Sequence, residues 1–385
     1  MKILFFHNGC DLYGASRSLL RLTGRLVKDG HRVVVVLRDE GPLSGRLSDA
    51  GVDVVHSRHN LFVERASFSS LLGKLGFFVR AVPAFFVHMG WIRKFKPDVV
   101  HINTALLPVA ALAGQACHVP VVWHMRESFG EFGRLWGVYE KFISCMAQRV
   151  IAVSDAVAGQ FNASVIHKVK TIHNGFPAEE FDAVSGDRIR TFRDRYNLQD
   201  HQTVGVIGRI KFERKGQEVL VQAAGLLKNK FPEVRYLIIG SPFPGNENHQ
   251  DRLEQMIDEL GVQNQFILTG DVEDIKAAYA TLDISVIPSG LPEPFGGVVI
   301  ESMAMGLPVI GTNIGGTAEQ IVDGETGFLL PSKDPLALAD ALEKLLADED
   351  LRKTMGRAGR KRFEACFEFE AFYEKIRMVY SEVLN

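Results

Sequence analysis

The amino-acid sequence predicts an α/β protein built from two doubly wound, parallel-sheet domains of similar size. Three observations predict it. The chain has 385 residues, more than one hydrophobic core comfortably supports, so two domains are expected. Short β-branched runs alternate with helical patterns almost throughout, the signature of βαβ units on a parallel sheet. The alternation pauses between about residues 174 and 202, where Pro177, several acids and an arginine-rich helical pattern replace any strand. The junction is therefore expected near 178–185. That gives a first domain over 1–178, a second over 179–365, and a last helix over 366–385 that packs back towards the first domain.

In the first half the expected strands are Lys2–His7, Arg32–Leu37, Val52–His56, Asp98–Ile102, Val119–Trp123, Arg149–Val153 and Val169–Ile172. In the second they are Thr203–Ile207, Val234–Ile239, Gln265–Leu268, Ile284–Ile287, Pro308–Gly311 and Gly327–Leu330. Near-continuous apolar runs such as Val33–Val36 imply strands covered on both faces. Between strands, Val219, Leu220, Ala223, Leu226 and Leu227 recur at helical spacing within Glu218–Phe231. Ligands of such sheets bind beyond the carboxyl ends of the strands, so the loops there are where chemistry is expected.

Composition narrows the function. Apolar residues at 46% and charged residues at 23% are ordinary for a globular chain. A net charge of −2, with no run of like charges, gives no electrostatic case for nucleic acid as a partner. Cys10, Cys117, Cys145 and Cys366 are scattered and form no Cys-x-x-Cys pair, which argues against a disulfide framework or zinc site and suits a reducing cytosol. Met1–His7 runs straight into a strand pattern too short for a signal-peptide core, and no apolar run reaches membrane-span length. A soluble or peripheral protein is expected, cytoplasmic, with the inner face of the cell membrane as the peripheral alternative.

The strongest motif is Ser289-Gly290-Leu291-Pro292-Glu293-Pro294-Phe295-Gly296-Gly297, running on through Glu301 to Gly306 and Pro308. It follows an apolar strand. Gly296 and Gly297 allow close backbone approach as a helix begins, and Gly306 with Pro308 end that helix. The free N–H groups and positive dipole end suit a diphosphate. Glu293 before the helix and Glu301 on its second turn can accept from two separate sets of sugar hydroxyls. A second motif, Gly208-Arg209-Ile210-Lys211-Phe212-Glu213-Arg214-Lys215-Gly216, closes the first strand of the second half. Arg209 and Lys215 there suit a pyrophosphate leaving group. The loop Asn8–Ser16, containing Gly14, lacks the Gly-x-Gly-x-x-Gly spacing and does not read as a dinucleotide fingerprint.

In this order the three segments resemble retaining glycosyltransferase family 4, whose GT-B fold sets two Rossmann-like domains face to face across a cleft. Pro97–His101, Val153-Ser154, His173–Phe176 and Gly315–Glu319 through Asp323–Gly327 also match its pattern, so the resemblance covers most of the chain. The resemblance implies that Arg209 and Lys215 hold the donor diphosphate and that Glu301 binds the nucleotide ribose. Glu293 with the backbone N–H groups of Phe295, Gly296 and Gly297 would hold the transferred sugar. Gly14 would let the first domain approach the phosphate, and His124 occupies a strand end where the family has a histidine near the sugar. Arg126 and Glu127 would line the acceptor side. Base contacts are expected to be largely main-chain, around Asp271 and Val272. Ser16 departs from the acidic residue that commonly follows Gly-Ala in the family, which leaves the acceptor side open.

The implied reaction moves a sugar from a UDP- or GDP-linked donor to an acceptor hydroxyl with retention of configuration. No cofactor is expected, and no metal: Arg209, Lys215 and the helix N-terminus would take its place. The lone Asp-x-Asp, Asp348-Glu349-Asp350, lies in a polar break between helices. A sugar-nucleotide epimerase of the same two-domain shape is the alternative, and a non-catalytic sugar-nucleotide binder a further one. The Glu293/Glu301 pair argues against the epimerase.

The segment Phe68–Lys96 admits two readings. As an ordinary crossover helix, the simpler reading, it would cover a sheet with Leu71, Leu75, Phe78, Val82, Phe86 and Met89. However, Phe77, Ala81, Phe85 and Ile92 widen that stripe beyond what packing needs, while Lys74, Arg80, Arg93, Lys94 and Lys96 flank it. That mix also suits a segment lying on anionic lipid, in which case the acceptor would be a lipid-linked saccharide of surface polysaccharide assembly.

Overall fold

A computed structural model describes residues 1–63, 70–129 and 134–385, with the side chains of Leu71, Arg134 and Leu135 also outside the description. Two compact units result: Met1–Gly175 with Glu370–Asn385, and Phe176–Phe369. The sequence places these boundaries at 178/179 and 365/366, within four residues of those observed. The last helix begins at Phe369 because the preceding helix, Glu349–Cys366, runs to the end of its apolar face and its amide ladder closes at Phe367.

The first unit is a seven-stranded parallel sheet of β1 (Lys2–Phe6), β2 (Arg32–Leu37), β3 (Asp53–His56), β4 (Val99–Ile102), β5 (Val121–Met125), β6 (Arg149–Ala152) and β7 (Val169–Thr171). Its order is β3-β2-β1-β4-β5-β6-β7. The second is a six-stranded parallel sheet of β8 (Thr203–Ile207), β9 (Arg235–Ile239), β10 (Phe266–Gly270), β11 (Ile284–Ile287), β12 (Val309–Thr312) and β13 (Gly327–Leu330), ordered β10-β9-β8-β11-β12-β13. Each thus lies within two residues of its expected position. Both sheets are doubly wound. Their order reverses between β1 and β4 and between β8 and β11, the switch points beyond which such sheets bind their ligands.

The apolar runs explain the layering. Ile3 to Phe6 and Val33 to Leu37 are buried on both faces of β1 and β2. In the second unit Val204, Val206, Tyr236, Ile238, Val286 and Ile310 pack against Leu220 and Ala224 of helix Gln217–Leu227 and Leu342 of helix Pro335–Ala347. The former helix is shorter than the Glu218–Phe231 expected. In the first unit the C-terminal helix lies against the chain's own start, with Tyr373 donating to Asp29 at 2.6 Å and Tyr380 meeting His101 Nδ1 at 2.7 Å.

Three expectations are corrected. Contrary to the expectation that no apolar run reaches membrane-span length, the helical stretch Leu72–Phe95 is long and apolar enough, by length and composition, to cross a membrane. β5 runs from Val121 to Met125, not Val119 to Trp123, because Pro120 has no N–H to give and only its carbonyl joins the ladder, accepting from Val100 at 2.9 Å. His124 is therefore inside the strand and Arg126 is the first residue beyond it. The helix Leu71–Phe95 also buries the opposite face from the one expected: Phe77, Ala84, His88 and Ile92 are inside, whereas Leu75, Phe78, Val82 and Phe86 are exposed. Both faces are apolar, so hydrophobic period alone does not choose between them. The expected start of this segment at Phe68, and the side chain of Leu71, lie outside the described residues.

Candidate functional site

In the second unit the two motif loops leave β8 and β11, the neighbouring strands at which the order reverses, and they interlock through glycines. Gly216 has φ +72, and a Cβ there would stand 1.8 Å from the Pro288 carbonyl oxygen. A Cβ on Gly290 would stand 2.0 Å from the Glu213 carbonyl, and the Gly290 amide donates to Arg214 O at 3.0 Å. The loop after β12 closes the other side, where the Gly316 amide donates to Glu293 O at 2.8 Å. Glycine is required at these contacts by backbone proximity.

This packing brings Lys215 and Glu293 together. The Lys215 ammonium donates to Glu293 Oε1 at 2.6 Å, and Ser289 Oγ donates to the same oxygen at 2.8 Å. Thr312 in turn donates to Ser289 O at 2.9 Å, fixing the base of the loop. Burial alone would push the Glu293 carboxyl up. The charge and hydrogen bond of Lys215, the Ser289 hydroxyl and the charge of Arg214 outweigh it, so the net shift is downward and the group stays ionised.

Gly296 and Gly297 head the helix Gly297–Ala304, with Gly296 at its N-cap and no acid in its first turn. A glycine cap supplies no oxygen, so the first amides are left for an anion. Gln320 holds the Gly296 carbonyl at 3.0 Å, while its own Oε1 is buried with no hydrogen-bond partner among the described residues. Phe295, half-buried, rests 6.0 Å from the Phe367 ring. One turn into the helix, Glu301 accepts from Tyr279 OH at 2.6 Å. That bond orients one carboxylate oxygen and leaves the other for a ligand hydroxyl.

Arg209 follows Gly208, beyond β8. Its guanidinium lies 4.9 Å above the Phe243 ring, 3.3 Å from Pro242 O and 3.5 Å from Asp271 Oδ2. Asp271 is itself fixed by the Ser241 amide at 3.0 Å, and Val272 packs against the apolar cluster that contains Tyr279. The structure therefore joins Lys215 and Glu293 directly, and sets Arg209 with Asp271–Val272 and Glu301 with Tyr279. From the sequence Tyr279 and Gln320 carry no role, and Ser289 stands only as the first residue of its motif. Gln320 directly follows the Gly315–Glu319 motif, whereas nothing in the sequence pairs Tyr279 with Glu301, 22 positions away.

The first-unit residues are arranged differently. Gly14 opens the helix Gly14–Lys28 on the surface, and a Cβ there would meet nothing within 4 Å, so the fold does not require glycine at that position. His124 is wholly buried. Its Nδ1 lies 3.3 Å from His101 Nε2 and 3.4 Å from Arg126 Nη2, and its Nε2 has no partner among the described residues. Desolvation first, then Arg126 and His101, hold it neutral well below the ordinary histidine range. The enclosure sets its Nδ1 against Arg126 and leaves its Nε2 unpaired among the described residues. The Arg126 guanidinium donates to Asn103 at 3.0 Å, Asn174 at 2.8 Å and Ser18 at 3.2 Å, and burial lowers its pKa to about 10. Glu127 accepts from the Ala105 amide at 2.8 Å and from Thr104. In the Asp-x-Asp segment, Asp348 caps the helix Glu349–Cys366 through the Leu351 amide, and Glu349 pairs with Lys353.

Two doubly wound parallel-sheet units, in a chain that superposes along nearly its whole length on GT-B structures, define the GT-B class of α/β proteins. The chain belongs to the family 4-type, group 1 glycosyltransferases. Residues 13–175 match the family described as "Glycosyl transferase 4-like domain" and residues 188–362 that described as "Glycosyl transferases group 1". It is 32% identical over 255 residues to the capsular polysaccharide biosynthesis glycosyltransferase CapM of Staphylococcus aureus, covering 64% of each chain. The matched stretch thus spans under two thirds of CapM's length. An uncharacterized glycosyltransferase, MJ1607 of Methanocaldococcus jannaschii, is 31% identical over 277 residues, covering 67% of this chain and 68% of that one. Among solved structures, HepE of Anabaena in complex with UDP superposes with a TM-score of 0.85 at 24% identity, over 99% of this chain and all of that one.

Proposed function

We propose that the protein transfers a glycosyl group from a nucleoside-diphosphate sugar, UDP-linked in the first instance, to an acceptor hydroxyl with retention of configuration and without a metal. The observation that carries this is the Lys215–Glu293–Ser289 cluster set at the glycine-capped start of Gly297–Ala304. A cation, an anion and free amides meet there, as a sugar joined to a diphosphate needs. The UDP and UDP-glucose complexes of Anabaena HepE support the nucleotide, and CapM's name supports a surface polysaccharide as product.

In this reading the acceptor oxygen attacks the anomeric carbon on the face from which the phosphate departs. The bond from that carbon to the phosphate oxygen breaks, its electron pair leaves with the nucleotide, and the departing oxygen takes the acceptor proton. Arg209, Lys215 and the helix amides stabilise the charge growing on the diphosphate. Glu293 accepts from sugar hydroxyls and steadies the positive charge on the ring. Glu301, oriented by Tyr279, accepts from the ribose. The acceptor is a saccharide, and a lipid-linked one at the inner face of the membrane is favoured by the exposed apolar helix Leu71–Phe95.

A thermal-shift panel of nucleoside diphosphates and their sugars tests the reading. A ligand held at a hundred times its Kd stabilises by about 2.7 kcal/mol. UDP and a UDP-sugar should raise Tm. If no nucleotide raises it, the proposal is wrong.

A further inference from the structure

The helix Leu71–Phe95 is much longer than the sheet it crosses, and its surplus lies at one end. Phe95 sits beside Lys2 and Ile3 at the start of β1, while the His88 ring packs 4.8 Å from Phe6 at the end of that strand. Residues 71–87, about 25 Å of helix at a rise of about 1.5 Å per residue, therefore lie beyond the point where the helix meets the carboxyl end of β1. That is the end at which such sheets bind their ligands. The inner side of the projection is satisfied: Phe77, at 5% exposure, and Ala84 pack with Leu61 and Val109. The outer side is not. Leu72, Leu75, Phe78, Val79, Val82 and Phe86 are between 59% and 82% exposed; apart from the adjacent pair Phe78 and Val79, they recur at three- and four-residue steps.

We infer that this outer stripe is a docking surface for an anionic lipid bilayer, set at the ligand-binding end of the first sheet. Charge selects the occupant. The helix contains no acidic residue, and Lys74, Arg80, Arg93 and Lys94 with Lys96 beyond it are all exposed. Apolar side chains rimmed by cations suit acyl chains beneath anionic headgroups. A second copy using the same face would set these cations against each other, which disfavours self-association. The surface rests on the lipid-linked acceptor reading only for its purpose: it would present the sheet's ligand-binding end to a substrate anchored in the membrane.

The test uses the full chain in co-sedimentation with phosphatidylcholine vesicles, with and without phosphatidylglycerol. Binding is expected to the anionic vesicles, to weaken as salt is raised, and to fall by about tenfold or more in Phe78→Ser/Phe86→Ser. Both side chains are exposed, so this variant should keep its Tm and its thermal response to UDP. No binding at low salt, or binding that the double variant leaves unchanged, would overturn the inference. So would a dimer, seen by light scattering, that the same substitutions dissociate. Loss of the UDP response in the wild type with vesicle binding intact would instead refute the transferase reading and leave the docking surface standing.

Discussion

Replacing Glu293 by Gln removes one negative charge while keeping the shape and hydrogen-bonding capacity of the side chain. In the folded protein that charge is ionised, only 14% exposed, and shared by Lys215 at 2.6 Å and Ser289 at 2.8 Å. If Glu293 accepts from the transferred sugar, the carbon that turns cationic lies about 5 Å from the carboxylate. A unit charge at that distance interacts by about 3 kcal/mol at an effective dielectric constant of ~20. Partial charge development lowers this figure, and the loss of Lys215's partner raises it. A barrier increase of roughly 2–4 kcal/mol is expected, which lowers kcat by about 30- to 900-fold. Steady-state kinetics with a UDP-sugar would show kcat falling while UDP affinity, measured by calorimetry, changes little. Near-native turnover by Glu293→Gln would refute the assignment of this carboxylate to the sugar.

Four further outcomes are expected. Glu301→Gln should weaken nucleotide binding by about 1.5–3 kcal/mol in calorimetry and leave kcat largely intact, because ribose contacts persist through the reaction. Arg209→Ala should reduce turnover far more than Tm, and activity should survive excess EDTA; abolition by chelation with recovery on adding magnesium would remove the cationic leaving-group account. Gly216→Ala should destabilise by at least about 2 kcal/mol in chemical denaturation, since φ is +72 and the new Cβ meets Pro288 O. The Glu293 pKa is depressed on folding, so its ionised form stabilises the fold above the ordinary value of 4.5 and that contribution is lost as pH falls through the lower folded value. The stability gap between wild type and Glu293→Gln should therefore shrink as acid unfolding is approached below that pH.

Local features were legible and non-local ones were not. Runs such as Val33–Leu37, five consecutive apolar β-formers, announce strands covered on both faces, and Ile284–Ile287 reads the same way with only Ser285 interrupting it. The Gly296-Gly297 helix start and the Gly208 to Gly216 loop were equally plain, since glycine at a strand end carries a backbone meaning. His124 was misplaced by a two-residue shift of β5, which moves a side chain from the rim of the sheet into its interior. The helix Leu71–Phe95 has apolar residues on both sides, so its buried face is decided by Leu61 and Val109, far away in sequence. The same holds for Tyr279, which reaches Glu301 only once its helix has packed beside the β11 crossover.

The most direct test of the central claim is the stereochemistry of the product. Incubation with a UDP-sugar and a saccharide acceptor should release UDP and form a new glycosidic bond. The anomeric proton of the first-formed product, followed by NMR, should show the configuration of the donor. Inverted product would contradict same-face departure and attack, and an epimerised sugar still joined to intact UDP would contradict transfer itself.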